Sequence, residues 1–250
     1  MDQKIENNAG LTLLRSRLYQ LLAGAFLHPN EEFSKTVGDG SFCLEMAQLL
    51  KGIIQSKNPR LLDEWEQLAE RTLSPEELLE SYQQIFSHTI SQSCPPCEME
   101  YERTHVFQLT QQLADLSGFY RAFGAQLVER SGERVDHVAV QMEFMSWLTL
   151  KEAYFFQVEN DEARKIIVDA QRKFFKDHLG RWAQLFLQKV LRQHPANFYR
   201  LIADSAVSFL EFEKDLLGVN PQRLRDTDFQ LMPNFEDEQN CGIPESCPGC

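Results

Sequence analysis

The apolar residues of this chain recur at intervals of three and four almost from end to end. Leu11, Leu14, Leu18, Leu21, Leu22, Ala25 and Phe26 fall on one face of a helix that Pro29 ends. Leu44, Leu49, Leu50, Ile53 and Ile54 predict a second helix, and Leu61, Leu62, Trp65, Leu68 and Ala69 a third. Ser74-Pro75-Glu76-Glu77 has the form of a helix start. Ser74 can cap free N–H groups, Pro75 loses no hydrogen bond at the first helical position, and Glu77 stands where a capping box needs it. Leu78, Leu79, Tyr82, Ile85 and Phe86 supply that helix's inner face. After a polar interruption from Ser87 to Pro96, the spacing resumes at Val106 and runs to Phe123, where Gly124 can stop it. Asp136, Asp161 and Asp177 each precede a further periodic stretch, and Asp136 and Asp161 read as helix caps. Leu201 to Leu210 form the last long helix after Pro195. No alternating apolar–polar run flanked by hairpin turns supports a sheet, and no repeat supports a solenoid.

The expectation is therefore all-α: one globular helical bundle over 1–217, with a loop at 131–135 that can serve as a hinge. A flexible, Cys-containing acidic tail follows over 218–250. A chain of 250 residues can bury roughly three quarters of its unfolded surface, so it needs no covalent staples. The formal charge is −12, and half of it sits in Asp226, Asp228, Glu236, Asp237, Glu238 and Glu245 of a tail with no Lys or Arg past Asp226. This balance argues against a nucleic-acid binder. No apolar run reaches the roughly 18 residues of a membrane span, and the polar N-terminus lacks the order of a signal peptide. A cytoplasmic protein is expected, and its six cysteines are then thiols or metal ligands sooner than disulfides.

Cys94-Pro95-Pro96-Cys97 and Cys247-Pro248-Gly249-Cys250 are two C-x-x-C pairs, with Cys241 close upstream of the second. Two thiolates so spaced can hold zinc or an iron–sulfur cluster from one turn. The plainer alternative is a tail of exposed, unliganded thiols. Cys43, in a helical context, reads as a small buried apolar residue. Asp136-His137 and Asp177-His178 pair an acid with an imidazole, and Glu102-x-x-His105 is a single Glu-x-x-His. A di-iron bundle needs two such motifs and two more carboxylates. The competing reading is that both Asp cap helices and both His satisfy local hydrogen bonds. No P-loop, dinucleotide fingerprint or nucleophile elbow occurs. Phe119, Tyr120 and Phe123, and later Trp147, Tyr154, Phe155 and Phe156, form aromatic sets. Packing is their default role, and a groove for an apolar or helical peptide is the functional one.

Several blocks occur in one order: Pro95-Pro96-Cys97-Glu98-Met99-Glu100-Tyr101, Ala114 to Gly124, Glu133-Arg134-Val135-Asp136-His137, Gln141-Met142-Glu143-Phe144-Met145, and Phe174 to Trp182. Together they resemble the TorD-type cytoplasmic chaperones, the redox enzyme maturation proteins that include DmsD and NarJ-like members. The resemblance spans roughly Tyr82 to Phe186. It implies a non-catalytic helical protein that needs no cofactor and binds the precursor of a molybdopterin oxidoreductase catalytic subunit, often through a twin-arginine leader, until the cofactor is inserted. Client-binding residues implied by the matching blocks are Glu98, Tyr101, Phe119, Tyr120, Asp136, His137, Glu143, Asp177, His178 and Trp182.

On that reading Asp136 pairs with a leader arginine, and the aromatic surface near Phe119 and Tyr120 takes the apolar stretch. The tail cysteines Cys241, Cys247 and Cys250 fall outside the general pattern. Together with Cys94 and Cys97 they are expected to form a metal site that pins the tail. The alternatives are a metal or iron–sulfur carrier using the two C-x-x-C pairs and, further off, a helical metal-dependent hydrolase using the Asp-His pairs. A monomer or homodimer without nucleic acid or stable membrane insertion is expected.

Overall fold

The computed structural model describes residues 9–54, 58–86, 93–101, 106–126 and 132–226. Ten α-helices run through them: α1 Ala9–Ala25, α2 Glu31–Gly38, α3 Ser41–Ile54, α4 Pro59–Ala69, α5 Pro75–Phe86, α6 Val106–Ala122, α7 Val138–Gln157, α8 Asp161–Phe174, α9 Gly180–Arg192 and α10 Asn197–Leu217. A 3-10 turn, Glu98–Tyr101, lies before α6, and a π-helical run, Phe175–Leu179, joins α8 to α9. Among the described residues the only bridge of β type is Cys97 with His137. The all-helical expectation holds.

Local chemistry sets most boundaries. The capping box at α5 is formed: Ser74 N donates to Glu77 Oε2 at 2.9 Å and Glu77 N to Ser74 Oγ at 3.2 Å. Gly124 ends α6 at φ +76°, a backbone that a side chain resists. The three Asp residues expected at helix starts do otherwise. Asn30, Asn58 and Asn160 cap α2, α4 and α8, so Asp161 is the first residue inside α8 and not its cap. His137, not Asp136, caps α7. Asp177 lies within the π-helical run and makes an exposed 2.7 Å pair with Lys173. Helix α2 is absent from the periodicity because its eight residues offer only Phe33 and Val37 to the core.

α1 lies along α7, α8 also packs on α7, α3 pairs with α4, and α9 with α10. One continuous core joins them, running through Leu22, Phe26, Trp65, Trp182, Phe186 and Phe209. Trp65 Nε1 donates to Ser205 Oγ at 2.8 Å and ties α4 to α10. The core also holds an ion cluster. Arg15 is 1% exposed. Its guanidinium grips Glu213 twice, at 2.6 and 2.9 Å, and reaches Glu152 at 3.2 Å and Gln171 at 2.8 Å. Tyr19 and Gln171 donate to the same carboxylates.

Helix α10 ends at Leu217, and the chain stays on the body for several residues more. Leu224 N donates to Arg181 O at 2.9 Å, Arg223 pairs with Glu211, and Asp226 with Lys189 and Arg192. Cys241, Cys247 and Cys250 lie outside the described residues, as do Ser131 of the expected hinge and the Glu102/His105 motif. No described helix is long and apolar enough to cross a membrane.

Candidate functional site

Three of the quoted blocks meet at one place. Residues 96–98 run antiparallel to 136–138, with Val138 N donating to Pro96 O at 2.8 Å and Glu98 N to Asp136 O at 3.0 Å. The Asp136 side chain has no exposed surface. Its Oδ2 accepts from Met99 N at 3.0 Å, and Arg134 binds both its oxygens, at 3.0 and 2.8 Å. The same Arg134 reaches Glu100 at 2.5 Å. Asp136 therefore clamps two loops together, with both oxygens already engaged inside the protein. That geometry reserves its carboxylate for Arg134, in place of the leader arginine expected from the sequence.

His137 is turned inward beside it. Its Nδ1 accepts from Ala139 N at 3.2 Å, and its Nε2 lies 3.5 Å from Glu133 Oε2. Burial, and then the Arg134 guanidinium, push the imidazole down to about 4, so it is neutral at pH 7.

Behind this clamp lies a ring of polar contacts. Trp182 Nε1 donates to Gln141 Oε1 at 3.0 Å, Gln141 Nε2 donates to Glu98 Oε2 at 2.6 Å, and that oxygen faces His178 Nδ1 at 3.3 Å. His178 and Trp182 come from the π-helical run and the start of α9, Gln141 from α7, and Glu98 from the 3-10 turn. The Tyr101 and Trp182 rings pack at 5.3 Å. Glu98, Tyr101 and Trp182 are all buried, so they build the frame from inside.

Phe119 and Tyr120 also face inward. Tyr120 packs on Phe144 at 4.6 Å and Phe119 on Phe174 at 5.6 Å. Burial, then Glu98 and Asp136, hold the Tyr120 phenol well above its ordinary pKa, and its OH donates to Val135 O at 2.7 Å. The apolar surface expected at Phe119 and Tyr120 is thus largely absorbed into the core. Exposed aromatic surface lies instead at Trp147, Tyr154 and Phe156.

In front of the frame opens a groove of about 600 Å³, lined by Leu27, Tyr120, Ala139, Val140, Phe144 and Trp147, with Glu133 and Glu143 among its walls. Glu143 keeps solvent exposure and Glu133 is half-buried. The packing around both withdraws water and pushes their pKa values up. Two partly desolvated carboxylates in an apolar groove suit a guanidinium, which would supply charge-assisted hydrogen bonds beyond the 3.5 Å contact of Glu133 with His137. Glu133, Arg134 and Gln141 stand inside the quoted blocks but carry no chemistry that residue type alone announces. Arg134 lying two residues before Asp136 was the available signal.

Cys94 and Cys97 are buried, as is Cys43. Cys94 Sγ donates to Ile85 O at 3.5 Å. Burial pushes the Cys94 thiol up to about 11 and Cys97 to about 12. A metal ligand must be a thiolate, and this environment opposes one. Among the described residues no group of three or more His, Cys, Asp and Glu side chains is placed to hold an ion. The expected zinc or cluster site at Cys94 and Cys97 thus lacks support.

Fold and site define an all-helical protein with an apolar groove backed by a rigid polar frame. Residues 44–188 match the family model described as nitrate reductase delta subunit. The perchlorate reductase assembly chaperone protein of Dechloromonas aromatica is 30% identical over 84% of this chain and 92% of its own length. The selenate reductase assembly chaperone protein of Thauera selenatis is 33% identical over 31% of this chain and 39% of its own. The chaperone protein TorD of Vibrio cholerae is 26% identical over 43% of this chain and 46% of its own. The chain belongs to the nitrate reductase delta subunit family of TorD-type chaperones, whose members assist enzyme assembly and are not enzymes themselves.

Proposed function

We propose that this protein is a cytoplasmic maturation chaperone for the catalytic subunit of a molybdopterin oxidoreductase. It binds the subunit's precursor, through a twin-arginine leader where the client carries one, and holds it while cofactor is inserted. The observation that carries this reading is the pairing of Glu133 and Glu143 in one apolar groove. Two adjacent arginines present two fixed positive forks, and two carboxylates with raised pKa values gain most from such partners. Similarity to chaperones named for perchlorate and selenate reductases supports an oxidoreductase client.

The remaining residues divide by position. Glu133, Glu143 and the edge of Tyr120 meet the client. Asp136, His137, Glu98, Tyr101, His178 and Trp182 hold the groove's back wall, with Phe119 packed behind it. Asp177, paired with Lys173 on the surface, belongs to the rim.

The test is a titration of the full chain with a labelled synthetic peptide carrying an arginine pair before an apolar run. Glu143→Gln should weaken binding about tenfold, in line with loss of one charge-assisted contact. A lysine-free control peptide with the arginines replaced by glutamines should bind weakly to both proteins. Equal affinity of wild type and Glu143→Gln for the arginine peptide would overturn the assignment.

A further inference from the structure

Eight large apolar side chains stay exposed among the described residues, and five of them stand together. Leu13, Trp147, Leu150, Tyr154 and Phe156 line a second groove of about 800 Å³ between α1 and α7. Tyr154 is 59% exposed, Leu13 49%, Leu150 45% and Trp147 38%. An aromatic side chain carries about 150–250 Å² and a leucine somewhat less, so these five leave on the order of 500 Å² of apolar surface in water. Soluble monomers rarely leave a contiguous apolar patch larger than a few hundred Å².

The exposure has a period of its own. Along α7 the exposed positions are Glu143, Trp147, Leu150, Tyr154 and Gln157, spaced four, three, four and three, with Phe156 of the last turn the one addition. A helix that packs on its own core shows a wide apolar stripe. A strict four–three spacing is the narrower seam by which one helix pairs with another. The other faces of α7 are already packed, with Met142, Met145, Leu148 and Glu152 buried. Trp147 Nε1 and Lys151 Nζ both donate to Phe123 O, at 3.0 and 2.8 Å, and hold one side of the seam in place. Charges of both signs border it. Glu143 is its first position, Lys151 lies beside its middle, and Arg164 stands 5.5 Å over the Phe156 ring at its far end.

We infer that this face joins two copies of the chain, α7 against α7 in antiparallel about a two-fold axis, each seam entering the α1–α7 groove of the other. Such a contact presents one patch to itself, so the patch must be self-complementary. Antiparallel pairing alternates the two kinds of seam position across the axis. Leu150 packs on the partner's Tyr154 in the central layers, and Trp147 meets the partner's Gln157 outside them. The same turn brings Glu143 of one copy to the end of the other seam that carries the partner's Arg164. A partner of one charge sign would be repelled by part of this border, whereas the copy matches both signs. The area agrees. A stable interface buries about 800 Å² per partner, and at about 65% apolar for homodimers that is about 520 Å² of apolar surface, close to what this face exposes.

The test is sedimentation of the full chain over a concentration series. Wild type should pass from monomer to dimer in the micromolar range, and the emission of Trp147, the exposed one of three tryptophans, should move to shorter wavelength over the same range. Leu150→Glu and Tyr154→Lys alter exposed positions, so each should keep its helix content while weakening self-association about tenfold or more. Mixed in equal amounts, the two variants should associate more tightly than either alone, because the introduced acid and the introduced base face each other across the axis. Leu44→Glu, at an exposed leucine of α3 outside this face, should leave association unchanged. A wild type that stays monomeric throughout the series overturns the inference. If Trp147 emission in that monomer then moves on removal of residues 2–8, the chain's own N-terminal segment holds the groove instead. A dimer that Leu150→Glu and Tyr154→Lys leave intact, or a mixture no more associated than its parts, overturns the inference as well.

Discussion

Glu98 Oε2 lies 3.3 Å from His178 Nδ1, and the two residues are 80 positions apart in the chain. The same oxygen takes the Gln141 amide at 2.6 Å, whose other end accepts from Trp182. One buried carboxylate thus joins the 3-10 turn, α7 and the α8–α9 junction. Because Asp136 binds Met99, next to Glu98, the rim of the Glu133–Glu143 groove rests on this carboxylate.

Glu98→Ala removes the acceptor and leaves the buried Gln141 amide short of a partner, at about 1–3 kcal/mol. For a chain of this size that lowers the melting temperature by roughly 3–10 °C. Glu98→Gln, which keeps an acceptor oxygen of the same reach, should recover part of the loss. Calorimetry of the three proteins checks this, and a Glu98→Ala midpoint within a degree of wild type would show that the ring carries no stability.

The π-helical run exists because Gly180 allows it. A Cβ at Gly180 would stand 2.6 Å from Phe175 O and 2.7 Å from the Phe175 ring. Backbone cannot yield there without turning His178, two residues earlier, away from Glu98. Gly180→Ala should destabilise the fold by about 1–3 kcal/mol, the usual range for overpacking, and weaken the arginine peptide as well. Gly118→Ala is the control: nothing lies within 4 Å of its added Cβ, and α6 should gain up to about 1 kcal/mol. Equal midpoints for the two variants would dismiss the close approach as the cause.

Apart from α2, the helices were legible because an apolar stripe repeats through each of them, and the capping box at Ser74 was legible because its geometry is local. The caps were less so. Asn160 stands one position before Asp161 and His137 one after Asp136, and only the backbone angles decide between neighbours. The blocks, far apart in sequence, come together in space, since Glu98, Asp136, His178 and Trp182 all converge. Their division into frame and contact surface depends on burial, which no residue type states. Arg15 was hidden for a different reason: it occupies a core position within the α1 stripe of Leu11, Leu14 and Leu18, where a lone charge signals a distant partner without naming it.

That buried Arg15 yields an asymmetric prediction. Arg15→Met leaves the Glu213 and Glu152 carboxylates, both buried, without a counter-ion. Breaking a buried pair from one side costs about 3–5 kcal/mol. Arg15→Met combined with Glu213→Gln and Glu152→Gln removes the stranded charges and should restore much of the stability. Urea unfolding of the single and triple variants measures both. A triple variant no more stable than the single would mean that packing of the Arg15 stem, and not charge, holds this layer.

His137 gives the fold a pH dependence. Burial and Arg134 hold its imidazole at about 4 in the folded chain against an ordinary 6.5. The groups facing it are Arg134, the half-buried Glu133 at 3.5 Å and the Ala139 amide it accepts from. Between pH 6.5 and about 4 the unfolded chain takes up a proton that the folded chain refuses. The stability from this residue is therefore complete above pH 6.5 and lost as pH falls toward 4, to a total on the order of 3 kcal/mol. Protonation would also turn Nδ1 from acceptor to donor and break the α7 cap. His137→Asn keeps a capping acceptor and has no proton to gain. Urea midpoints at pH 7.5, 6 and 5 should fall more steeply for wild type than for His137→Asn, and parallel lines would show that His137 carries no linkage.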